Sequence, residues 1–237
     1  MKRITIFPGK IPVKYRYIDS VHAALVAGLT SAGVSGERLV GGGAADWTFA
    51  CKGFAARGGL MTLKSLLVST ADPEVARAFE VLDPEALQKR SSNGDVIDFS
   101  GGRIVEEMRR PASGQDEICL AFASPFALIG PKTAEARKTW FVRSAAETDF
   151  PEAIRVGLQR RAGRDLDVEV AIDRLTLLTE GRSRPVALRQ AGPRRVMIPG
   201  FSMPVTLRGN AEDLSWVYFS GIGAKTRLGF GCPILPT

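Results

Sequence analysis

The order in which strand-like and helix-like patterns follow one another limits the fold of this chain more than any other feature of its sequence. Alternating apolar residues predict a first strand over 2–6, and Asp19 or Ser20 can cap a helix that buries Val21, Leu25 and Leu29. The same half then shows paired strands over 47–54 and 60–69, a helix over 73–90, and short strands over 96–99 and 103–109. This βαββαβ order predicts a ferredoxin-like domain, an antiparallel sheet backed by two helices, which is also the arrangement of RNA-recognition modules.

A second cycle of the same kind begins after the mostly polar residues 111–116. It comprises a strand over 118–123, a helix over 150–161, a long strand over 168–178, a strand-like stretch over 195–208 interrupted by proline, a short helix capped by Asn210, and a last strand over 231–235. The two halves share no recognisable sequence identity, so only the order of elements repeats. We therefore expect an α+β protein of two tandem ferredoxin-like (RRM-like) βαββαβ domains, spanning 1–114 and 115–237.

The positive charge of the chain is concentrated in its second half. Residues 1–118 carry 15 basic and 14 acidic side chains, whereas residues 119–237 carry 17 and 11, within a net charge of +7. Arginine grips phosphate with a planar fork and stacks on bases, and it outnumbers lysine 23 to 9, so a nucleic acid is the expected partner. A general drift of some proteomes towards arginine would give the same composition without this function.

Other classes of protein are disfavoured by composition. No apolar run reaches the roughly 18 residues that a membrane-spanning helix needs, and the basic start of the chain leads into a strand pattern and not into a signal peptide. Cys51, Cys119 and Cys232 lie far apart and form no CxxC pair, which predicts neither a disulfide framework nor a cysteine metal site. We expect a cytoplasmic protein that uses no membrane, no metal and no cofactor.

Residues 221–231, Gly-Ile-Gly-Ala-Lys-Thr-Arg-Leu-Gly-Phe-Gly, are named the glycine-rich segment below. Two Gly-x-Gly units flank two cations, so that the candidate RNA-binding residues here are Gly221, Gly223, Lys225, Arg227, Gly229 and Gly231. Glycine lets the backbone approach a phosphate closely, and the cations supply charge. The spacing matches neither a dinucleotide fingerprint nor a P-loop, so no nucleotide cofactor is predicted. A purely structural turn between a helix and a strand is the alternative.

The glycine-rich segment resembles the C-terminal glycine-rich loop of the CRISPR repeat-processing endoribonucleases of the RAMP superfamily, with Ile222 and Phe230 in the two apolar places. Ser124-Pro125 after an apolar strand, the helix from Phe150, and Pro204-Val-Thr-Leu-Arg-Gly209 before a short helix are similar to the same C-terminal domain. The likeness covers about 117–237 well and the first half loosely. It implies a tandem ferredoxin-like, metal-independent endoribonuclease that cuts CRISPR precursor RNA within its repeats.

His22 is the one histidine of the chain and the candidate general base. A helical wheel places it at the edge of the apolar stripe, where its ring could face a groove. Histidine titrates near neutrality and suits removal of a proton from a ribose 2′-hydroxyl. The residues alone leave open a histidine at the boundary of a core. The resemblance implies the catalytic role, because His22-Ala-Ala-Leu-Val26 is similar to the helix around the catalytic histidine in one branch of the family.

Further basic and aromatic side chains are candidates with open alternatives. Additional RNA-binding candidates are Arg155, Arg160, Arg161 and Arg164 around the helix over 150–161, and Arg194 and Arg195 in a stretch without acidic residues. A solvated helix face explains the four helix arginines about as well. Candidates for stabilising the transition state or protonating the leaving oxygen are Tyr15, Tyr17, Lys225 and Arg227, the tyrosines being equally plausible core residues. Trp140, with Lys138 and Arg143 around it, either stacks on a base or packs in the core.

We expect an endoribonuclease that binds the stem-loop repeat of CRISPR precursor RNA and yields mature guide RNA with a 2′,3′-cyclic phosphate, working with other CRISPR effector subunits. A catalytically inactive RNA-binding subunit of an effector complex is the alternative. Binding without products would distinguish it. An RNA-recognition protein unconnected with CRISPR is a third hypothesis.

Overall fold

The computed structural model describes residues 1–41, 45–56, 59–91, 94–130 and 140–236. The first half of the chain folds into a sheet with helices packed on it. Its elements are β1 (Lys2–Phe7), β2 (Lys14–Tyr15), α1 (Ile18–Ser31), α2 (Gly36–Val40), β3 (Trp47–Ala55), β4 (Met61–Thr70), α3 (Pro73–Val81), β5 (Gln88–Arg90), β6 (Val96–Asp98) and β7 (Arg103–Glu106).

The main strands of this half pair antiparallel in the order β3–β4–β1–β7. Val68 of β4 lies in register with Ile4 of β1 on one side and with Phe49 of β3 on the other. All three side chains are buried in one core with apolar residues of α1 and α3. This is the ferredoxin-like arrangement that the order of elements predicts, and β2, β6 and β5 extend the sheet beside β4.

The second half repeats the arrangement with an insertion. Its sheet has the order β13–β8–β12–β9, again antiparallel, and a separate hairpin of β10 and β11 is inserted before β12. The elements are β8 (Glu117–Phe122), α4 (Phe150–Ala162), β9 (Val168–Ala171), α5 (Arg174–Glu180), β10 (Arg184–Ala191), β11 (Arg194–Gly200), β12 (Val205–Gly209), α6 (Ala211–Ser220) and β13 (Pro233–Ile234). Two tandem ferredoxin-like units are therefore confirmed, each with its own buried cluster.

Two predicted element boundaries are wrong because local polar and proline chemistry ends the element early. The helix predicted over 73–90 ends at Val81, since Pro84 disfavours helical backbone at Asp83, which is extended with φ −94° and ψ 125°. The long strand predicted over 168–178 ends at Ala171. The Asp173 carboxylate accepts a hydrogen bond of 3.0 Å from the Thr176 N–H and so starts helix α5.

Two further expectations need correction. The stretch over 195–208 is two strands, because the chain leaves β11 at Gly200, passes Pro204 and enters the central sheet at Val205. Helix α1 is capped neither by Asp19 nor by Ser20. Its start is instead held by Asp95, whose Oδ2 accepts hydrogen bonds from the Arg16 N–H, the Tyr17 N–H and the Ser20 hydroxyl.

The two halves are joined by buried polar contacts. Arg3 of β1 is 1% exposed, donates from Nη2 to the Tyr218 carbonyl at 2.7 Å, and lies 3.8 Å above the Tyr218 ring. Ser69 of β4 accepts from Arg3 Nε and donates to the Phe219 carbonyl at 2.9 Å. Helix α6 is thereby fixed to the sheet of the first half. In the described ranges, no helix is long and apolar enough to cross a membrane.

Candidate active site

A cavity of about 740 Å³ lies where the two halves meet. The first half contributes residues of α1 and α2 together with Ala45 and Asp46, which directly precede β3. The second half contributes the end of α4 and residues of the glycine-rich segment. Six predicted site residues line this cavity together: His22, Arg160, Arg161, Gly223, Lys225 and Arg227. Residues that are distant in sequence and on both halves of the molecule therefore converge on one space.

The glycine-rich segment folds back on itself between α6 and β13. The Ile222 N–H donates to the Gly231 carbonyl at 2.9 Å, so that the two Gly-x-Gly units meet. Gly231 has φ 63°, and a Cβ there would lie 1.8 Å from the Ile222 carbonyl oxygen. Gly229 has φ 82°, and its Cβ would lie 2.8 Å from the Phe49 ring of β3. Both positions require glycine because of their left-handed backbone and their close contacts.

Between the two Gly-x-Gly units the chain makes a short 3₁₀ turn over Thr226–Leu228. The residue before this turn, Lys225, adopts a left-handed backbone with φ 62°. The Ala224 N–H donates to the Ala127 carbonyl at 2.7 Å, and Thr48 Oγ1 of β3 donates to the Phe230 carbonyl at 3.0 Å. The segment is thus attached to its own half and to β3 of the other half, with its cations at the cavity.

His22 forms part of the cavity wall beside β3. Its ring stacks on Trp47, with centroids 5.7 Å apart and an interplanar angle of 10°. Within the described residues, its buried Nε2 has no hydrogen-bond partner. Burial and, to a smaller extent, the positive charge of Arg227 lower the pKa of His22 from 6.5 to about 4. At neutral pH the imidazole is uncharged and can accept a proton.

Arg227 and Arg161 use their donors on protein groups. Arg227 Nη1 donates to the carbonyls of Leu39 at 3.4 Å and Gly41 at 3.2 Å. Arg161 Nη2 donates to the Ser220 hydroxyl at 2.8 Å and to the Gly221 carbonyl, and its Nη1 donates to the Gly223 carbonyl at 3.3 Å. Burial lowers the pKa of Arg161 to about 10 and lowers that of Arg227. Both side chains remain charged at neutral pH and are bound to the protein itself.

Lys225 and Arg160 differ from these two arginines. Both are exposed at the cavity. Neither side chain makes a hydrogen bond or ion pair to another residue of the described ranges. These are consequently the predicted cations of the cavity whose charge no described protein group neutralises.

The other predicted arginines lie outside the cavity lining. Arg155 Nε pairs with Glu152 at 2.7 Å, and Arg164 Nη2 pairs with Asp213 at 2.5 Å. Arg194 and Arg195 are exposed at the start of β11, on the inserted hairpin. The hairpin packs on the glycine-rich segment through Leu188 and Ile198, which share a cluster with Phe230.

The predicted aromatic candidates also lie elsewhere. Tyr15 is 6% exposed in the core of the first half, and burial raises its pKa. The Tyr17 hydroxyl donates to Gln190 Oε1 of the hairpin at 2.5 Å. Trp140 is half-buried against the core of the second half, and its neighbour Lys138 lies outside the described residues. The structure therefore does not bring these rings to His22.

Three residues of the site escaped the sequence interpretation. Trp47 provides the stacking surface for His22. Asp46 Oδ1 lies 3.4 Å from Arg161 Nε. Arg38 lines the cavity, and its guanidinium binds Asp72. A charged residue directly before a buried strand was the available signal for Asp46. In the part of the chain that the structure describes, no three His, Cys, Asp or Glu side chains are grouped closely enough to hold a metal ion.

The likeness of the C-terminal half to known proteins extends beyond the glycine-rich segment. The model of the family "CRISPR associated protein Cas6, C-terminal" matches residues 108–233, more than half of the chain. The chain belongs to this family. No curated protein sequence matches it. The resemblance that the glycine-rich segment carries is thus confirmed, and the chain is a CRISPR-associated RNA-processing protein of the Cas6 family.

Solved structures with the same fold span the whole chain. A Cas6-related protein from Pyrococcus furiosus is 18% identical, with 99% of this chain and 98% of that chain covered and a TM-score of 0.67. A RAMP protein that binds different RNA substrates is 19% identical over 100% of both chains, with a TM-score of 0.69. A Cas6 protein in a product complex is 19% identical, with 99% of this chain and 98% of that chain covered and a TM-score of 0.56. At these identities the likeness shows the fold of this Cas6-family protein.

Proposed function

We propose that this Cas6-family protein binds the stem-loop repeat of CRISPR precursor RNA and cleaves it in the cavity between its halves, with His22 as the general base. The observation that carries the proposal is the convergence on one cavity of an uncharged imidazole and two exposed cations, Lys225 and Arg160, which pair with none of the described residues. A base and an adjacent positive charge are what cleavage by a 2′-hydroxyl requires. The boundary between the two domains is proposed at residues 114 and 115.

The base acts on the substrate's own nucleophile. His22 removes the proton of the ribose 2′-hydroxyl, whose oxygen attacks the adjacent phosphorus. The bond to the 5′-oxygen breaks, and that oxygen takes a proton, which leaves a 2′,3′-cyclic phosphate and a 5′-hydroxyl. Because the attacking oxygen belongs to the RNA, this reaction needs no metal ion to generate a nucleophile.

The low pKa of His22 fits this role once substrate is present. An imidazole with a pKa near 4 is a weaker base than one matched to neutral pH. A phosphodiester in the cavity that His22 lines brings a negative charge close to the imidazole, and a nearby negative charge raises the pKa of histidine. The bound RNA therefore strengthens the base that acts on it.

Lys225 is the proposed partner for the developing charge on the phosphate. Its ammonium is exposed at the cavity, whereas Arg227 in the same segment binds the Leu39 and Gly41 carbonyls. Arg160 is proposed to bind a neighbouring phosphate from α4. The exposed Arg194 and Arg195 of the hairpin are proposed to contact the RNA farther from the cut, and other CRISPR effector subunits are proposed partners in the cytoplasm.

The deciding experiment uses a repeat RNA from the same genome with a single 2′-deoxy nucleotide directly upstream of the scissile phosphate. We expect this RNA to bind with unchanged affinity and to remain uncut, while the all-ribose RNA is cut in excess chelator and ends in a cyclic phosphate. Cutting of the deoxy RNA, or loss of cutting with chelator, would exclude the proposed nucleophile. Tight binding of the all-ribose RNA without any product would identify a catalytically inactive RNA-binding subunit instead.

A further inference from the structure

Arg161 connects three parts of the molecule that meet at the cavity. It lies in the last turn of α4 and donates to the carbonyls of Gly221 and Gly223, the two glycines of the first Gly-x-Gly unit. Its guanidinium also lies 5.1 Å from the Trp216 ring of α6. On its remaining side, Nε lies 3.4 Å from Asp46 Oδ1 of the first half.

Asp46 is itself held firmly in the first half. Its carbonyl accepts from the Ala71 N–H at 3.1 Å and from Thr70 Oγ1 at 2.8 Å, which attaches it to the end of β4. The next residue is Trp47, on which His22 stacks, while Gly223 at the other end of the link is two residues before Lys225. The ion pair between Asp46 and Arg161 therefore connects the strand that carries Trp47 with the backbone that carries Lys225.

The energetics of this pair argue against a simple role in stability. Burial is the largest influence on both partners, since it raises the pKa of Asp46 and lowers that of Arg161 despite their mutual attraction. The Arg161 and Asp46 side chains are 19% and 25% exposed. Removing two charges from water costs about as much as their attraction returns, so a largely buried ion pair contributes little net stability. What such a pair does supply is a fixed relative position of the groups that carry it.

We propose that Asp46 and Arg161 are positioning residues that hold the glycine-rich segment, and with it Lys225, at its working distance from His22. Arg161 is thus assigned to the protein framework and not to an RNA phosphate. This inference rests on the proposed function where it concerns cleavage, and on the protein alone where it concerns the glycine-rich segment.

The first test measures amide hydrogen exchange of Ile222 and Ala224 in the free protein. Asp46→Asn keeps the shape of the side chain and removes its charge, so Arg161 loses its ionic partner in the first half and keeps only its bonds within the second half. Exchange at both amides should then accelerate by about 10-fold or more. The matched control is Arg160→Gln, which removes the neighbouring, unpaired arginine and should leave this exchange as it is. Unchanged exchange in Asp46→Asn would overturn the proposal, whether or not the protein cuts RNA.

The second test separates positioning from phosphate binding. Asp46→Asn and Arg161→Gln should each lower the single-turnover cleavage rate at saturating RNA by about 10-fold or more, because small misplacements of reacting groups are costly. The double variant should be no slower than the slower single variant, since both changes break one link. The dependence of RNA affinity on salt should keep the wild-type slope in both single variants.

The outcomes of the second test are distinct from a failure of the proposed function. In Arg161→Gln, the slope of log affinity against log salt could fall by about 0.7 to 0.9 while the cleavage rate at saturating RNA stays at the wild-type value. This result would show that Arg161 binds a phosphate and would refute the positioning role. Wild-type protein that binds RNA without cutting it would remove the proposed function, and accelerated exchange in Asp46→Asn would then still support the link. If Arg161→Gln fails to fold, Asp46→Asn decides alone.

Discussion

The imidazole of His22 lies nearly parallel to the indole of Trp47, with ring centroids 5.7 Å apart and planes inclined by 10°. The indole covers one face of the imidazole and removes water from it, while Nε2 is left without a partner in the described residues. A histidine in such a place favours its uncharged form, because a protonated ring would lose its hydration without gaining an acceptor. Several measurable properties of the protein depend on this relationship.

The imidazole of His22 should titrate far below an ordinary histidine. We expect a pKa of about 4 in the free protein, because burial and the positive charge of Arg227 both disfavour the protonated ring. The chain has one histidine, so the imidazole proton resonances in a nuclear magnetic resonance titration need no assignment once any purification tag is removed. A value near 6.5 would contradict the buried position.

The same titration with bound RNA tests the role of the phosphate. With the 2′-deoxy repeat RNA bound, the pKa of His22 should rise above its value in the free protein, since the phosphodiester is negatively charged. Unchanged titration upon saturation with RNA would mean that the scissile phosphate does not lie beside His22. An unrelated RNA hairpin is the control for non-specific binding.

Folding stability should depend on the charge state of His22 in acid. Between the unfolded pKa of 6.5 and the folded value of about 4, the unfolded chain binds a proton that the folded protein does not bind. Stability should therefore fall as the pH is lowered through this window, by at most about 1.4 kcal/mol per pH unit. His22→Gln should lack this contribution when urea unfolding of the two proteins is compared at pH 7 and pH 4.5. Parallel pH profiles would contradict the low pKa.

Replacement of His22 by Gln should strongly slow cleavage without abolishing RNA binding. Glutamine retains most of the side-chain volume against Trp47 but cannot accept the proton, so single-turnover cleavage should fall by at least about 10²-fold. RNA affinity should remain near that of the wild type. A melting curve controls for folding, and near-normal cleavage by a folded variant would remove His22 from the mechanism.

The order of elements and the glycine-rich segment could be predicted because both depend on local rules. Alternating and helical periodicity indicated the two ferredoxin-like cycles, and Asn210 was predicted as the cap that it is, with its side chain accepting from the Asp213 N–H. The first strand of the inserted hairpin, β10, is not among the strands that the sequence pattern predicts. The Gly192-Pro193 turn between apolar runs was its signal.

The partnerships at the cavity could not be predicted from the sequence. Arg160 and Arg161 are adjacent arginines on one predicted helix, yet one is exposed and the other binds Asp46 and two carbonyls. Which of the two meets the first half depends on how α4 packs on its own sheet, and this is a property of tertiary structure. The same holds for Trp47, whose apolar neighbours on β3 predict burial and give no indication of a histidine partner.

Glycine at position 229 should be essential for stability. Gly229→Ala should lower the free energy of unfolding by about 1 to 3 kcal/mol, because φ is 82° and the new Cβ would meet Phe49 and Ile18 within 3 Å. Gly157→Ala is the matched control, since this helical position of α4 has nothing within 4 Å of a Cβ, and it should raise stability by about 0.5 to 1 kcal/mol. Urea unfolding measures both. Equal stability of the two variants would contradict the described conformation of the segment.

Salt dependence should separate the cations that bind phosphate from those that bind the protein. A protein that neutralises a phosphate releases counterions, so each lost contact flattens the plot of log affinity against log salt by about 0.7 to 0.9. Lys225→Gln and Arg160→Gln should each show this decrease, because both side chains are exposed at the cavity. Arg227→Gln should keep the wild-type slope, because Nη1 of Arg227 donates to the carbonyls of Leu39 and Gly41.

Lys2→Gln provides the matched control for these slopes. Lys2 is paired with Glu80 and Glu106 at 3.1 Å each and lies outside the cavity lining, so its loss should leave the slope unchanged. Fluorescence anisotropy of a labelled repeat RNA between 50 and about 300 mM salt covers the range in which such slopes are linear. If Lys225→Gln and Arg160→Gln kept the wild-type slope while Arg227→Gln lost a contact, the RNA would approach from the α2 side of the cavity. The assignment of Lys225 to the scissile phosphate would then be wrong.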